Sequence, residues 1–312
     1  MKKKKIFLII IPVVLGLVIL LVLTKLFLPG LLVNLSMLDL QKKAGLSAKN
    51  IRIDNHKIYY YEGGEGENLV LIHGFSANKN NWIWMARYLT DKYHLIIPDL
   101  PGFGNSSRIA DEDYGYDSQV KRLNDFFNAL KIEKFHMAGN SMGGHISAIY
   151  AITYPEKVLS LGLIDSGGVI SPEKSDYLKA LEKGNNPFNI KSVGDYDIFM
   201  DYVFTTKPKV PKFIKAYFFK ESKKYNDFNQ YISGQISKNP YLLEPHLYKI
   251  NIPVLILWGE DDRIIHVSAA KVFESGLKNH KTVIIKKCGH APMVEKPQET
   301  AEYYLDFLEN IK

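Results

Sequence analysis

Phe135-His136-Met137-Ala138-Gly139-Asn140-Ser141-Met142-Gly143-Gly144 is the stretch whose reading decides the fold. Residues 135 to 139 read as a short buried strand and residues 142 to 151 as a helix, so Ser141 stands at the junction between them. Glycines two before and two after the serine are what a sharp strand-to-helix turn requires, because side chains there would clash across the bend. Such a turn holds the serine hydroxyl outward as a candidate nucleophile. An unassisted hydroxyl is weak, so the reading demands a base, and an acid to orient that base, further along the chain.

Both are present, and in the expected order. His290, within Lys287-Cys288-Gly289-His290-Ala291-Pro292, follows the last predicted strand, and Asp262, within Trp258-Gly259-Glu260-Asp261-Asp262-Arg263, follows the one before it. Each alone reads as a solvated loop residue. Three roles after three strand ends form a joint signal. The acid stays open on chemistry alone, since Asp261 adjoins Asp262 and Asp165 follows an earlier strand. One carboxylate that reaches the histidine ring and holds its tautomer suffices. A tetrahedral intermediate also needs donors for its oxygen, and the backbone N–H groups of Phe75, in His73-Gly74-Phe75, and Met142 are the candidates.

Outward from this stretch, β-rich runs alternate with helical ones. Strands are expected at 51–61, 69–73, 94–98, 135–139, 158–165, 254–258 and 282–285, with helices at 81–90, 118–130, 142–151, 268–277 and 298–311. Alternation of this kind predicts an α/β fold, a mostly parallel sheet flanked by helices. Residues 170–245 break it. That segment holds seven Phe and seven Tyr with no convincing buried strand, and reads as an inserted helical cap over the carboxyl ends of the strands, where open α/β sheets bind ligands. Most of these aromatics are expected to form the cap's own core, and a minority to face substrate. The expected divisions are an anchor at 1–30, a juxtamembrane segment at 31–50, core at 51–169, cap at 170–245 and core again at 246–312.

The anchor rests on residues 6–24, IFLIIIPVVLGLVILLVLT, 19 residues without a charge, continued past Lys25 to Leu28. That approaches the roughly 20 residues needed to cross a hydrocarbon core. A cleaved signal peptide has a shorter apolar run and small residues at the cut; Lys25 to Pro29 supply none, so residues 6–28 are expected to hold the chain in a bilayer uncleaved. Lys2 to Lys5 favour a cytoplasmic amino terminus and an extracytoplasmic body, which in a Gram-negative cell is periplasmic. Residues 31–40, LLVNLSMLDL, fit a helix in the membrane interface or one packed on the globular body.

Composition excludes other classes. The net charge of +7 falls to +2 once Lys2 to Lys5 and Lys25 are set aside, so no nucleic-acid partner is expected. Cys288 is the single cysteine, no histidine pair has metal-ligand spacing, and Pro101-Gly102-Phe103-Gly104 lacks the Lys and Ser/Thr of a phosphate loop. Neither a metal nor a cofactor is expected. His145, His246 and His266 read as packing, loop or surface residues.

Five motifs together, His73 to Lys79, Pro98 to Gly104, Gly139 to Gly144, Trp258 to Asp262 and Gly289-His290, resemble the α/β-hydrolases. The likeness is to membrane-anchored monoacylglycerol lipases and related bacterial lipases, and it spans residues 50 to 311. The resemblance implies a catalytic Ser141, Asp262 and His290, with Asp262 preferred over Asp261 because the family's acid is the fourth residue after the tryptophan. It implies hydrolysis of a lipid ester such as monoacylglycerol. The family's animal members are thought to place the catalytic domain toward the cytosol, whereas the lysines here argue the reverse. Two other readings are kept: a carbon–carbon hydrolase of the ring-cleavage-product type, whose Gly-Asn-Ser-Met-Gly-Gly turn is similar, and a catalytically silent binding protein of the same fold. Oligomeric state is not legible.

Overall fold

A computed structural model describes the backbone of residues 2–27 and 29–311, and the side chains of 11–24 and of 29–311. Helix α1 (Lys2–Phe27) is followed by α2 (Pro29–Lys43), then by strands β1 (Leu46–Ile53), β2 (His56–Gly63) and β3 (Glu67–Ile72). A 3-10 turn (Lys79–Trp82) and α3 (Ile83–Ala86) lead to β4 (Tyr93–Pro98), α4 (Tyr116–Ala129), β5 (Phe135–Asn140), α5 (Met142–Thr153) and β6 (Val158–Ile164). The insertion carries α6 (Asp176–Glu182), α7 (Val193–Val203), α8 (Lys212–Lys224) and α9 (Asn226–Lys238). The fold closes with β7 (Val254–Gly259), α10 (Ala269–Gly276), β8 (His280–Ile285), α11 (Pro292–Glu295) and α12 (Pro297–Asn310).

The strands form one sheet in the order β1-β2-β4-β3-β5-β6-β7-β8. Only β1 with β2 and β2 with β4 pair antiparallel; β4 to β8 run parallel. The direction of strand succession reverses between β3 and β5, where Ile72 pairs with Gly139, and the crevice above such a reversal is where this architecture binds ligands. Alternate residues feed two cores. Val254, Ile256 and Trp258 of β7 join Phe126, Phe127 and Tyr150 on one face, while Leu255 and Leu257 join Trp82, Tyr304 and Phe307 on the other.

The strand expected over 51–61 is instead a hairpin of β1 and β2. Ile53 pairs with His56, and Asp54 takes φ 48°, which the short polar pair Asp54-Asn55 tolerates in a two-residue turn. The helix expected at 81–90 is confined to 79–86; its start is set by Asn78, whose side chain accepts the Asn80 N–H. The other core helices fall within two residues of expectation.

The cap is docked lightly. Helices α6, α7 and α8 have no fully buried side chain, and their aromatics pack on one another: Phe188 on Tyr177 and Phe199, Tyr196 on Phe218. Ile232 of α9 is the cap's peg, wholly buried in the core under a loop whose Gly102 leaves it room.

Of the expected membrane segment 6–28, Leu28 and the side chains of 6–10 and 25–27 lie outside the described residues, as do those of Lys2 to Lys5. No single helix among the described residues is long and apolar enough to cross a membrane; Ile11–Thr24 and Pro29–Lys43, bent by 65°, reach that length and composition together. Pro29, with no N–H to donate, suits the first turn of a new helix. From Ile11 to Leu23 the apolar side chains are 44 to 61% exposed among the described residues. Helix α2 packs on the globular body along one face and is exposed along the other. Met37 and Leu40 pack on the core, Gln41 donates to the Leu46 carbonyl and Gly30 lies against Tyr217 of α8, while Leu31, Leu35 and Leu38 stay exposed along the opposite face.

Ile232→Ala is expected to cost about 2–5 kcal/mol, as large-to-small core changes do, and to free the cap. A drop in the denaturant midpoint, with faster proteolysis confined to residues 170–245, checks it.

Candidate active site

Ser141 holds φ 57° and ψ −121°, an unfavourable conformation for a residue with a side chain. The contacts that enforce it are steric. A Cβ on Gly139 would stand 2.2 Å from the Gly143 carbonyl oxygen, and one on Gly143 would stand 2.3 Å from that of Ile72. Hydrogen bonds hold the bend: the Ser141 N–H donates to Ile164 O, and Ser141 O accepts from His145 and Gly167. The serine caps α5, whose first N–H groups and dipole favour negative charge at this point.

His290 and Asp262 meet beside the bend. The His290 Nδ1 lies 2.7 Å from Asp262 Oδ2, and Asp262 Oδ1 accepts the N–H groups of Ile264 and Ile265 at 2.7 and 3.0 Å. Both residues are buried. Of the three carboxylates left open by the sequence, Asp262 is the one bonded to the histidine; Asp261 is exposed and accepts from the Thr205 hydroxyl. With Nδ1–H donating to the carboxylate, Nε2 is left as an acceptor, the tautomer a general base needs. The serine hydroxyl itself makes no hydrogen bond among the described residues, as is common before substrate closes such a site.

Asn140 went unremarked in the sequence as anything but a motif letter. Its Nδ2 donates to the carbonyls of Ile164 and His290, at 3.1 and 3.0 Å, so the residue beside the serine ties the bend to the histidine loop. Two further contacts join that loop to the cap. The His290 N–H donates to Val203 O at the end of α7, and Glu295 accepts the N–H groups of Gly289, Thr205 and Thr206. Main-chain contacts of this kind carry no side-chain signature, which is why sequence reading missed them.

The loop after β3 passes directly over the serine. A Cβ on Gly74 would lie 3.2 Å from that of Ser141, so the loop approaches closely only because position 74 is bare. His73 is wholly buried; its Nδ1–H donates to Gly74 O and its Nε2 accepts from the Leu100 N–H, and burial lowers its pKa. A neutral His73 thus sets the peptide next to Phe75. Below it Asp99, with no exposed side-chain surface, accepts from Lys79 Nζ at 2.5 Å and from the N–H groups of Lys79 and Asn105.

The remaining candidates do other work. His145 bonds Tyr241 O through Nε2 and lies 4.0 Å from the Tyr116 ring, with burial lowering its pKa to about 4. His246 is half-buried in a 3-10 helix (Glu244–Lys249) and His266 is half-buried in the loop before α10. Burial pushes the Cys288 thiol far above its usual range, which makes it a poor nucleophile. Asp165, Asp262 and His290 bring their donor atoms within 4.8 Å of one another. The Asp262 and His290 atoms are already bonded to each other and to amides, so the cluster is a hydrogen-bonded unit.

Asp99→Ala leaves the Lys79 charge buried and unpaired, and is expected to destabilise by about 3–5 kcal/mol. Chemical denaturation of the purified variant measures this directly.

A family described as the alpha/beta hydrolase fold matches residues 67–188 and 188–297. The chain is 38% identical over 272 residues to Lipase 1 of Psychrobacter immobilis, covering 86% of each chain. It is 29% identical over 298 residues to a monoacylglycerol lipase of Xenopus laevis, covering 91% of this chain and 88% of that one. Among solved structures, a membrane phospholipase A described as a bacterial virulence factor superposes with a TM-score of 0.89 at 41% identity, over 96% of this chain and 98% of that one.

Proposed function

This chain belongs to the α/β-hydrolase fold family, and we propose that it cleaves carboxylic esters of lipids, monoacylglycerol or a similar ester with few acyl chains, through an acyl-enzyme on Ser141. The observation that carries the proposal is the buried 2.7 Å contact between His290 Nδ1 and Asp262 Oδ2 beside a serine held at positive φ. Ser141 Oγ attacks the ester carbonyl carbon while His290 Nε2 takes its proton. The carbonyl oxygen, now negative, accepts hydrogen bonds from the N–H groups of Phe75 and Met142, donors worth roughly 3–4 kcal/mol in comparable sites. Collapse expels the alcohol, which leaves with the proton from His290. Water then repeats the sequence on the acyl-serine, giving the fatty acid and the free hydroxyl.

The lipid substrate is supported from outside the motif. Relatives named as lipases share most of the chain, an uncovered apolar helix and the leucine face of α2 need a non-aqueous neighbour, and a half-buried aromatic cap lies in the chain between β6 and β7. Residues 6–28 then tether the enzyme to the bilayer that dissolves its substrate, with the body on the extracytoplasmic side. Tethering raises the local substrate concentration without any new contact.

Asp262→Asn is expected to lower kcat by about 10⁴-fold, as loss of the orienting carboxylate does in a serine protease, while fluorophosphonate labelling of Ser141 slows in parallel. Unchanged turnover would assign the acid elsewhere. A hydrolysis panel of mono-, di- and triacylglycerols, phospholipids and short soluble esters, run on wild type and Ser141→Ala, tests substrate class. Monoacylglycerol is expected to lead and the variant to be silent; activity on short soluble esters alone overturns the lipid assignment.

A further inference from the structure

Two carboxylates stand behind His290, and only one has a role in the chemistry above. Asp165 follows β6, is completely buried, and keeps φ 44° in the turn that carries it. Its Oδ1 accepts the Gly259 N–H at 2.9 Å. Its Oδ2 is also buried and accepts no hydrogen bond among the described residues. Asp165, Asp262 and His290 each place a donor or acceptor atom within 4.8 Å of the others.

Two ionised carboxylates this close, out of water, repel strongly, and one of such a pair holds a proton. No lysine or arginine among the described residues forms an ion pair with either of them. The other titratable groups facing Asp165 are Glu295 and Cys288, one an added negative charge and the other a suppressed thiol, with Lys296 acting on Cys288 from beyond. Which carboxylate keeps the proton follows from the hydrogen-bond count. Asp262 accepts three donors, from Ile264, Ile265 and His290, and Asp165 accepts one. Charge settles where donors are most numerous, and an orphan Oδ2 is what a carboxylic acid O–H would fill.

We propose that Asp165 is a positioning residue that works as a neutral carboxylic acid, donating its Oδ2 proton to the Asp262 carboxylate and holding that carboxylate against His290. The pair then carries a single negative charge throughout turnover. When His290 takes the serine proton, the buried set of three becomes neutral overall. Burial and the adjacent Asp262 charge both raise the Asp165 pKa well above the usual carboxylate range, in agreement with that state. The proposal rests on the Asp262 and His290 roles given above.

The test uses the full-length protein in detergent, a soluble chromogenic ester, and two variants. Asp165→Asn keeps an acceptor for Gly259 and a donor for Asp262, so kcat/KM is expected within about threefold of wild type, with the acid limb of its pH profile unmoved. Asp165→Ala removes the donor and is expected to lower kcat by about 10- to 100-fold with KM little changed, the worth of a hydrogen bond to a charged group. Infrared difference spectra of wild type against Asp165→Asn should show a protonated-carboxyl stretch lost in the variant. An acid limb in Asp165→Asn displaced downward by about one pH unit would mean that an ionised carboxylate was removed from beside His290, and overturns the proposal. So does a wild-type rate in Asp165→Ala, or the absence of the infrared band. If Asp165→Ala fails to fold, the Asn profile and the spectrum decide. If wild type turns over no ester and Ser141 takes no fluorophosphonate, the hydrolase assignment fails instead, and the infrared band still decides the state of Asp165.

Discussion

At the bend between β5 and α5, the strand and the helix approach until the position of a Cβ on Gly139 falls 2.2 Å from the Gly143 carbonyl oxygen. That proximity forces Ser141 into positive φ, a strain of order 1–3 kcal/mol, and the surrounding structure has to hold it there. It does so with a helix that is buried along almost its whole length and a strand buried at every position, so the bend cannot relax without unpacking the core. The Gly74 loop and the Asn140 amide are then located relative to the bend, and His290 relative to Asn140.

Two buried carboxylates near this site are kept soluble in protein by different means. Asp99 is balanced by a cation, Lys79, with backbone amides filling the remaining lone pairs. Asp262 has no cation. It accepts from two amides of its own loop and lies against the His290 ring. A permanent cation at Asp262 would compete with the imidazolium for the same charge, whereas amide dipoles stabilise the carboxylate and leave it free to respond. The first solution suits a structural staple under a loop, the second a group that works with a proton carrier.

Much of this was legible in the sequence because it is written in residue types. The glycines at 139 and 143, a serine, an acid and a histidine in that order, and the alternation of strands with helices follow from sterics or from chemistry that few residues can perform, while the choice of Asp262 among the acids came from the family resemblance. The Asp54-Asn55 turn was missed, because the run of β-formers on either side hid two short polar residues that tolerate αL. What could not be read were contacts through main chain and depth of burial. Nothing in the letters says that Asn140 faces the histidine loop, that Asp165 is dry, or that α2 packs on one side and leaves leucines bare on the other. Those depend on how elements distant in sequence come to lie together.

The hydrogen bond from His290 N–H to Val203 O, with Glu295 clasping Gly289, Thr205 and Thr206, couples the roof of the site to its base. Moving the end of α7 away from this position would break a bond to the loop that carries the imidazole. The placement of the cap and the placement of His290 are therefore not independent: a few backbone hydrogen bonds tie one to the other.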